Sequence, residues 1–221
     1  ALSDPTRRGI LAQLATGVGY TLGVTLACIS TGLATGLALA ILTRLRLPGL
    51  GPVLAVYSYV FRGVPVLVLL FIVFFGLPGI GLEVSPLLAM MLSLGLITGA
   101  YLAEVFRAGF NGIDPNEILA AEAMGLRRRE ILVAIELPQM LRFAVPGMLN
   151  EFTTVLKYSP FAYTVGIPDV MKQAMTLAST TLRGLEIYLA VGVIYFLIYK
   201  LMLALVRAVE RRFAIPGIGR L

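Results

Sequence analysis

Four residues could do chemistry because of where they stand. Arg142, Asn150, Glu151 and Lys157 interrupt an otherwise apolar stretch from Gln139 to Phe161. Asn150, Thr154 and Lys157 are spaced i, i+4, i+7, so a helix sets them on one face with Glu151 beside it. A charge near a bilayer centre costs about 2.5–3.5 kcal/mol, and each large apolar side chain offsets only about 0.3–0.6. Such a helix must turn its polar face to a partner helix or a water-filled cavity. Two readings follow. Asn150, Glu151, Thr154 and Lys157 line a solute pathway, or Glu151 and Lys157 form a buried pair that only holds helices together. Arg62, and Glu104 with Arg107, repeat the pattern in earlier apolar stretches. Glu104 and Arg107 are three apart and could pair along one helix, and with Arg62 they are expected to form a structural ion-pair lock near the cytoplasmic end.

Stepping outward, the whole chain is apolar. Of 221 residues, 58% are hydrophobic and only 14% are charged, and the mean hydropathy is +0.91. Soluble domains carry about 25% charged residues, so an integral membrane protein is expected. Histidine is absent, which removes the commonest general base and metal ligand. The single cysteine, Cys28, leaves no disulfide framework. A Gly-x-Ser-x-Gly elbow and a close Asp cluster are also missing, which argues against an intramembrane enzyme. The net charge of +6 fits basic cytoplasmic loops rather than nucleic-acid binding.

Five spans are expected in an all-α membrane fold. They run from Gly9 to Thr43, Gly49 to Leu82, Val84 to Ala103, Gln139 to Phe161 and Ile187 to Val206. Arg44 and Arg46, then Arg107 and Arg127 to Arg129, then Arg207, Arg211 and Arg212 follow alternate spans. That places the N-terminus outside and the C-terminus in the cytoplasm. Arg7 and Arg8 oppose this unless Pro5 to Leu14 is a short interfacial segment. No cleavable signal peptide is expected. Gly32-x-x-x-Gly36 fits close helix packing. Pro138, Pro146, Pro160 and Pro168 predict kinked or broken helix ends around the fourth span.

The loop from about 114 to 138 is the most specific segment. Asp114-Pro115-Asn116-Glu117 is a helix start, with Asp as cap, Pro at the first position and Glu reaching back to the cap. Gly125 can end that helix, and the basic turn Arg127-Arg128-Arg129 follows it. A short rigid helix with the small residues Ala120, Ala121 and Ala123 is shaped to enter a groove of a soluble partner. The alternative is a helix lying on lipid headgroups.

Leu119-Ala120-Ala121-x3-Gly125-x9-Ile135-x-Leu137-Pro138 resembles the EAA loop of ABC-transporter permease subunits, and holds six of its seven fixed positions. Leu119 stands where that family usually has Glu. Phe61-Arg62-Gly63-Val64-Pro65-Val66-Leu67, Gly99-Ala100-Tyr101-Leu102-Ala103-Glu104-Val105-Phe106-Arg107, and Asn150-Glu151-Phe152 with Lys157 are similar to stretches of the polar amino-acid uptake permeases. Tyr158-Ser159-Pro160 departs from that subfamily, which usually has an acidic residue there.

The resemblance implies a type I importer permease fold, with residues 1–221 as one transmembrane domain in a bacterial inner membrane. It implies a second permease subunit, the same chain or another, an ABC ATPase dimer that binds ATP and Mg, and an extracytoplasmic solute-binding protein. The chain itself is expected to hold no cofactor and no metal and to catalyse nothing, since it has no P-loop. Tyr101 joins the pathway candidates. Glu117, Ala120, Ala121, Glu122, Gly125, Arg127 and Arg128 become candidates for the ATPase contact. Alternating access would follow if Pro115 to Met124 moved as a lever. A self-sufficient carrier or channel would account for the polar span but not for the capped loop helix, and no inverted repeat is visible. An ABC permease for another small solute is the alternative within the family.

Overall fold

The computed structural model describes residues 4–45 and 49–213. The expectation for Arg46 lies outside the described residues, as do the side chains of Arg7, Arg8, Arg211 and Arg212. Helix α1 (Asp4–Arg44) is continuous, so Pro5 to Leu14 is the first part of a long helix and not a separate segment. Its 41 residues extend about 60 Å. Its threonines do not leave bare hydroxyls among apolar neighbours. Thr25, Thr31, Thr35 and Thr43 each donate to the carbonyl four residues back, at 2.7–2.9 Å.

The second apolar stretch is not one straight span. Helix α2 (Leu50–Gly63) ends where Val64 turns extended at φ −91°, ψ 129° before Pro65. The residue before proline is driven out of the helical region by the ring. Helix α3 (Val66–Phe71) restarts from Pro65 and continues through a π-helical turn, Ile72–Gly76, to Ile80. The two halves meet at 103°. None of the 14 residues of α2 is fully buried.

Helix α4 (Pro86–Met90) passes through the π-turn Met91–Gly95 into α5 (Leu96–Asn111), a 26-residue span. In the following loop stand α6 (Pro115–Ala123) and α7 (Arg128–Ile131). A third π-turn, Leu132–Glu136, leads into α8 (Leu137–Tyr158), which contains Pro146. The segment after it is a 3₁₀ stretch Ser159–Val165 and a 12-residue helix α9 (Val170–Thr181). Helix α10 (Gly184–Phe213) is the last element among the described residues. Among the described residues four helices are long and apolar enough to cross a membrane, or five if the bent pair is counted as one span.

The core is the seam between α1 and α5. A Cβ on Gly32 would come within 2.6 Å of Thr98, and one on Gly36 within 2.8 Å of Leu102 Cβ. The Gly32–Gly36 pair thus sits where the two backbones approach most closely. On the other side of α5, α8 closes against it, with Gly147 facing Val105 and Gly109 facing the Met140 carbonyl. Phe106, Phe110, Met140 and Leu132 fill the space between them.

Candidate functional site

The bend after α2 positions the first functional side chain. Tyr57 in α2 donates to the Leu96 carbonyl at 2.8 Å, which sets the register of α2 on α5. Arg62, in the last turn of α2, then reaches α5. Its Nη1 is 3.5 Å from Glu104 Oε1, and its guanidinium lies 5.2 Å from the Tyr101 ring centroid. Glu104 also pairs with Arg107, as the spacing suggests. Arg62, Glu104 and Arg107, which the sequence groups as a structural lock, therefore meet the pathway candidate Tyr101 on α5, against which α8 with Glu151 packs.

This group is partly exposed. Arg62 is 44%, Glu104 28% and Arg107 53% exposed. Charged side chains open to the surface of membrane-spanning helices belong against a water-filled space or another subunit, not hydrocarbon. Asn150 and Lys157 are exposed on α8, while Glu151 and Thr154 are half-buried. Thr154 donates to the Asn150 carbonyl at 3.0 Å. Glu151 and Lys157 form no ion pair with each other, so the reading of a buried Glu–Lys lock is not what the structure contains. Lys157 opens instead into a groove of about 490 Å³, lined by Leu156, Pro160, Tyr195, Phe196 and Tyr199. A second cleft of about 520 Å³ between α1, α4 and the Gly166 turn is apolar and holds none of these residues.

The loop helix is built as its start sequence suggests, with one difference. Asp114 caps α6, its Oδ1 accepting from Asn116 N at 2.9 Å. Gly125 ends it with φ +83°, a conformation that glycine adopts without a Cβ clash. Glu117 does not reach back to the cap. It accepts from Gln139 Nε2 at 2.5 Å, tying α6 to the first turn of α8. Glu130 makes the backward contact in the next helix, accepting from Arg127 N at 2.6 Å. Ala120, Glu122, Gly125 and Arg127 are exposed, and Leu119 and Met124 project at 60% and 75% exposure. Ala121 is buried and cannot touch a partner directly. Arg128 turns inward, its Nη1 2.8 Å from Glu136 Oε2.

Sequence reasoning misses Glu136. It is buried between Arg44 and Arg128, and its one signal is a lone carboxylate in the apolar run Leu132 to Leu137. Asp169, also fully buried, is missed as well. It caps α9, its Oδ1 accepting from Lys172 N at 2.8 Å. Burial pushes its carboxyl up to about 6, against the pull of the backbone donors. No group of three or more metal-ligating side chains occurs among the described residues.

Residues 32–215 match the family described as binding-protein-dependent transport system inner membrane component. The chain is 34% identical over 199 residues to a probable amino-acid permease protein, YxeN, of Bacillus subtilis (strain 168), covering 89% of each. It is 31% identical to the arginine transport system permease protein ArtQ of the same organism, covering 89% of this chain and 90% of the relative. It is 32% identical to the histidine/lysine/arginine/ornithine transport system permease protein HisQ of Escherichia coli (strain K12), covering 81% and 82%. Among solved structures, an amino acid ABC transporter with histidines superposes with a TM-score of 0.85 at 28% identity, covering 96% of this chain and 99% of that one. The MetNI methionine ABC transporter, in inward-facing conformations, shares the fold with a TM-score of 0.79 at 20% identity, covering 97% and 100%.

Proposed function

The chain belongs to the family of binding-protein-dependent transport system inner membrane components and is a permease subunit of an ABC importer, and we propose that polar amino acids are the solutes it passes. Relatives whose names specify amino acids span most of this chain. One observation carries the site-level reading. Arg62 stands beside the Glu104 carboxylate and the Tyr101 ring on an exposed face of membrane helices. A cation beside an anion is complementary to the two ends of a zwitterion. Tyr101 beside Arg62, and Asn150, Thr154 and Lys157 along α8, extend the lining of the pathway.

Five helices with an exposed charged group enclose no pathway alone, so a second permease subunit completes it. The subunit pair sits in a bacterial inner membrane with the N-terminus outside and the C-terminus in the cytoplasm. An ABC ATPase dimer binds ATP and Mg on the cytoplasmic side and receives α6 through Leu119, Ala120, Glu122 and Met124. A solute-binding protein delivers substrate from outside. ATP favours one state of the ATPase pair over the other, and α6 carries that difference into α5 and α8.

The test is purification of the tagged chain from detergent, with mass spectrometry of what accompanies it, followed by uptake in proteoliposomes. An ATPase subunit is expected in the wild-type sample and is expected to be lost from a Leu119→Arg variant. That side chain is 60% exposed, so the substitution spares the fold. A chain that purifies alone and moves amino acids without ATP would replace this reading with a self-sufficient carrier.

A further inference from the structure

Glu136 has no exposed surface, yet guanidinium groups from two other elements close on it. Arg44, the last residue of α1, brings Nε to 3.0 Å and Nη2 to 2.5 Å of Oε1. Arg128, the first residue of α7, brings Nη1 to 2.8 Å of Oε2. This second contact is an ion pair without hydrogen-bond geometry. Arg44 also lies over the Phe110 ring near the end of α5, 5.5 Å from its centroid. One carboxylate thus links the ends of α1 and α7 at the entrance to α8, with α5 held through Arg44.

Stability alone is a weak reason for such an arrangement. Removing charges from water offsets most of the attraction between them, and apolar replacements are often as stable. The clamp does something an apolar core does not. It fastens two partly exposed arms, Arg44 at 24% and Arg128 at 41%, to one immobile point. Glu136 closes the π-turn Leu132–Glu136, a helical irregularity that recurs at functional sites. It lies three residues before Gln139, on the same helix face. Gln139 holds Glu117 in the first turn of α6, and Glu136 holds Arg128 just beyond the end of α6. The loop helix is therefore tied to one face of that helix through Glu117, and α7, which follows it, is tied to the same face through Arg128.

We propose that Glu136 is a positioning residue for transport. Through Arg128 it fixes the loop helix to α8, and through Arg44 it carries the displacement of that helix into α1. The inference rests on the reading of α6 as the ATPase contact. Without the Glu136 charge the ATPase still docks and hydrolyses ATP, but hydrolysis no longer moves α1 with α8.

The experiment reconstitutes the full complex in liposomes and measures amino acid moved per ATP hydrolysed for wild type, Glu136→Gln and Arg44→Gln. Both variants are expected to recover the ATPase as wild type does, with that ratio lowered by about tenfold or more. An unchanged ratio would overturn the proposal. So would transport and hydrolysis falling in proportion, or loss of assembly in both variants, because a merely structural role gives those results. If Glu136→Gln alone fails to assemble, Arg44→Gln decides by the same ratio, since Arg44 is partly exposed at a helix end. A wild-type sample that recovers no ATPase or transports without ATP overturns the functional reading itself, and the positioning role with it.

Discussion

The Arg62 guanidinium lies over the Tyr101 ring, 5.2 Å from its centroid, while its Nη1 is 3.5 Å from Glu104. One side chain thereby joins the end of α2 to the middle of α5 through both a charge and a π-face. Arg62→Gln removes the cation and is expected to lower initial uptake in proteoliposomes by about tenfold, equivalent to roughly 1.4 kcal/mol. Arg62→Lys is expected to fall between the two, because an ammonium keeps the charge but not the planar stacking. Uptake by Arg62→Gln equal to wild type would remove Arg62 from the pathway.

Glu151 and Lys157 lie six residues apart on α8 and do not pair, whereas Arg62 pairs with Glu104 of α5, against which α8 packs. A double-mutant cycle of Glu151→Gln with Lys157→Gln on uptake rate is expected to be additive within about 0.5 kcal/mol. The cycle of Glu151→Gln with Arg62→Gln is expected to show coupling above that limit. The reverse pattern would mean that the lysine, not the arginine, is the working partner of Glu151.

The seam of α1 and α5 has no space for a methyl group at Gly36, where a Cβ would meet Leu102 Cβ at 2.8 Å and the Gly99 carbonyl at 2.9 Å. Gly36→Ala is expected to destabilise by about 1–3 kcal/mol through overpacking. Gly19 meets nothing within 4 Å, so Gly19→Ala is expected to be neutral or to stabilise by about 0.5–1 kcal/mol. Thermal unfolding in detergent distinguishes the two. A Gly36→Ala protein as stable as wild type would show that the helices can separate without loss.

Asp169 gives a pH dependence whose sign is set by its burial. The native carboxyl keeps its proton up to about pH 6, whereas in the unfolded chain it ionises near pH 4. Between those values the native state binds more protons, so raising the pH through this window lowers stability. Above about pH 6 the contribution is lost and the dependence is flat. Asp169→Asn keeps an acceptor for Lys172 N and is expected to abolish the slope between pH 4 and 6. Unfolding temperatures of the two proteins across that range, if parallel, would show that Asp169 does not titrate there.

The sequence by itself determined the membrane class, the all-helical architecture, the capped loop helix and the residues worth suspecting. These are local properties. Hydropathy over about 20 residues marks a span, and Asp114-Pro115 with Gly125 marks the ends of α6. Even the short-range pair Glu104–Arg107 follows from spacing along one helix. Other features depended on contacts between elements distant in the chain. Hydropathy does not register the 103° break after α2, because both halves are apolar and only the backbone geometry before Pro65 separates them. Helix α9 carries too many polar residues to read as a span and becomes a helix by packing Val170, Ala174 and Leu177 against α1 and α10.

Tertiary structure alone decided the partners of the charges. Glu117 and Gln139 are 22 residues apart, and Arg44 and Glu136 are 92 apart. No periodicity relates such positions. Composition places ionisable groups inside the membrane protein, and the requirement that each find a partner or water is general. Which partner each one finds depends on how α2, α5 and α8 cross. That crossing joins Arg62 to both the lock and the pathway, turns Arg128 inward to Glu136, and leaves Lys157 open in its groove.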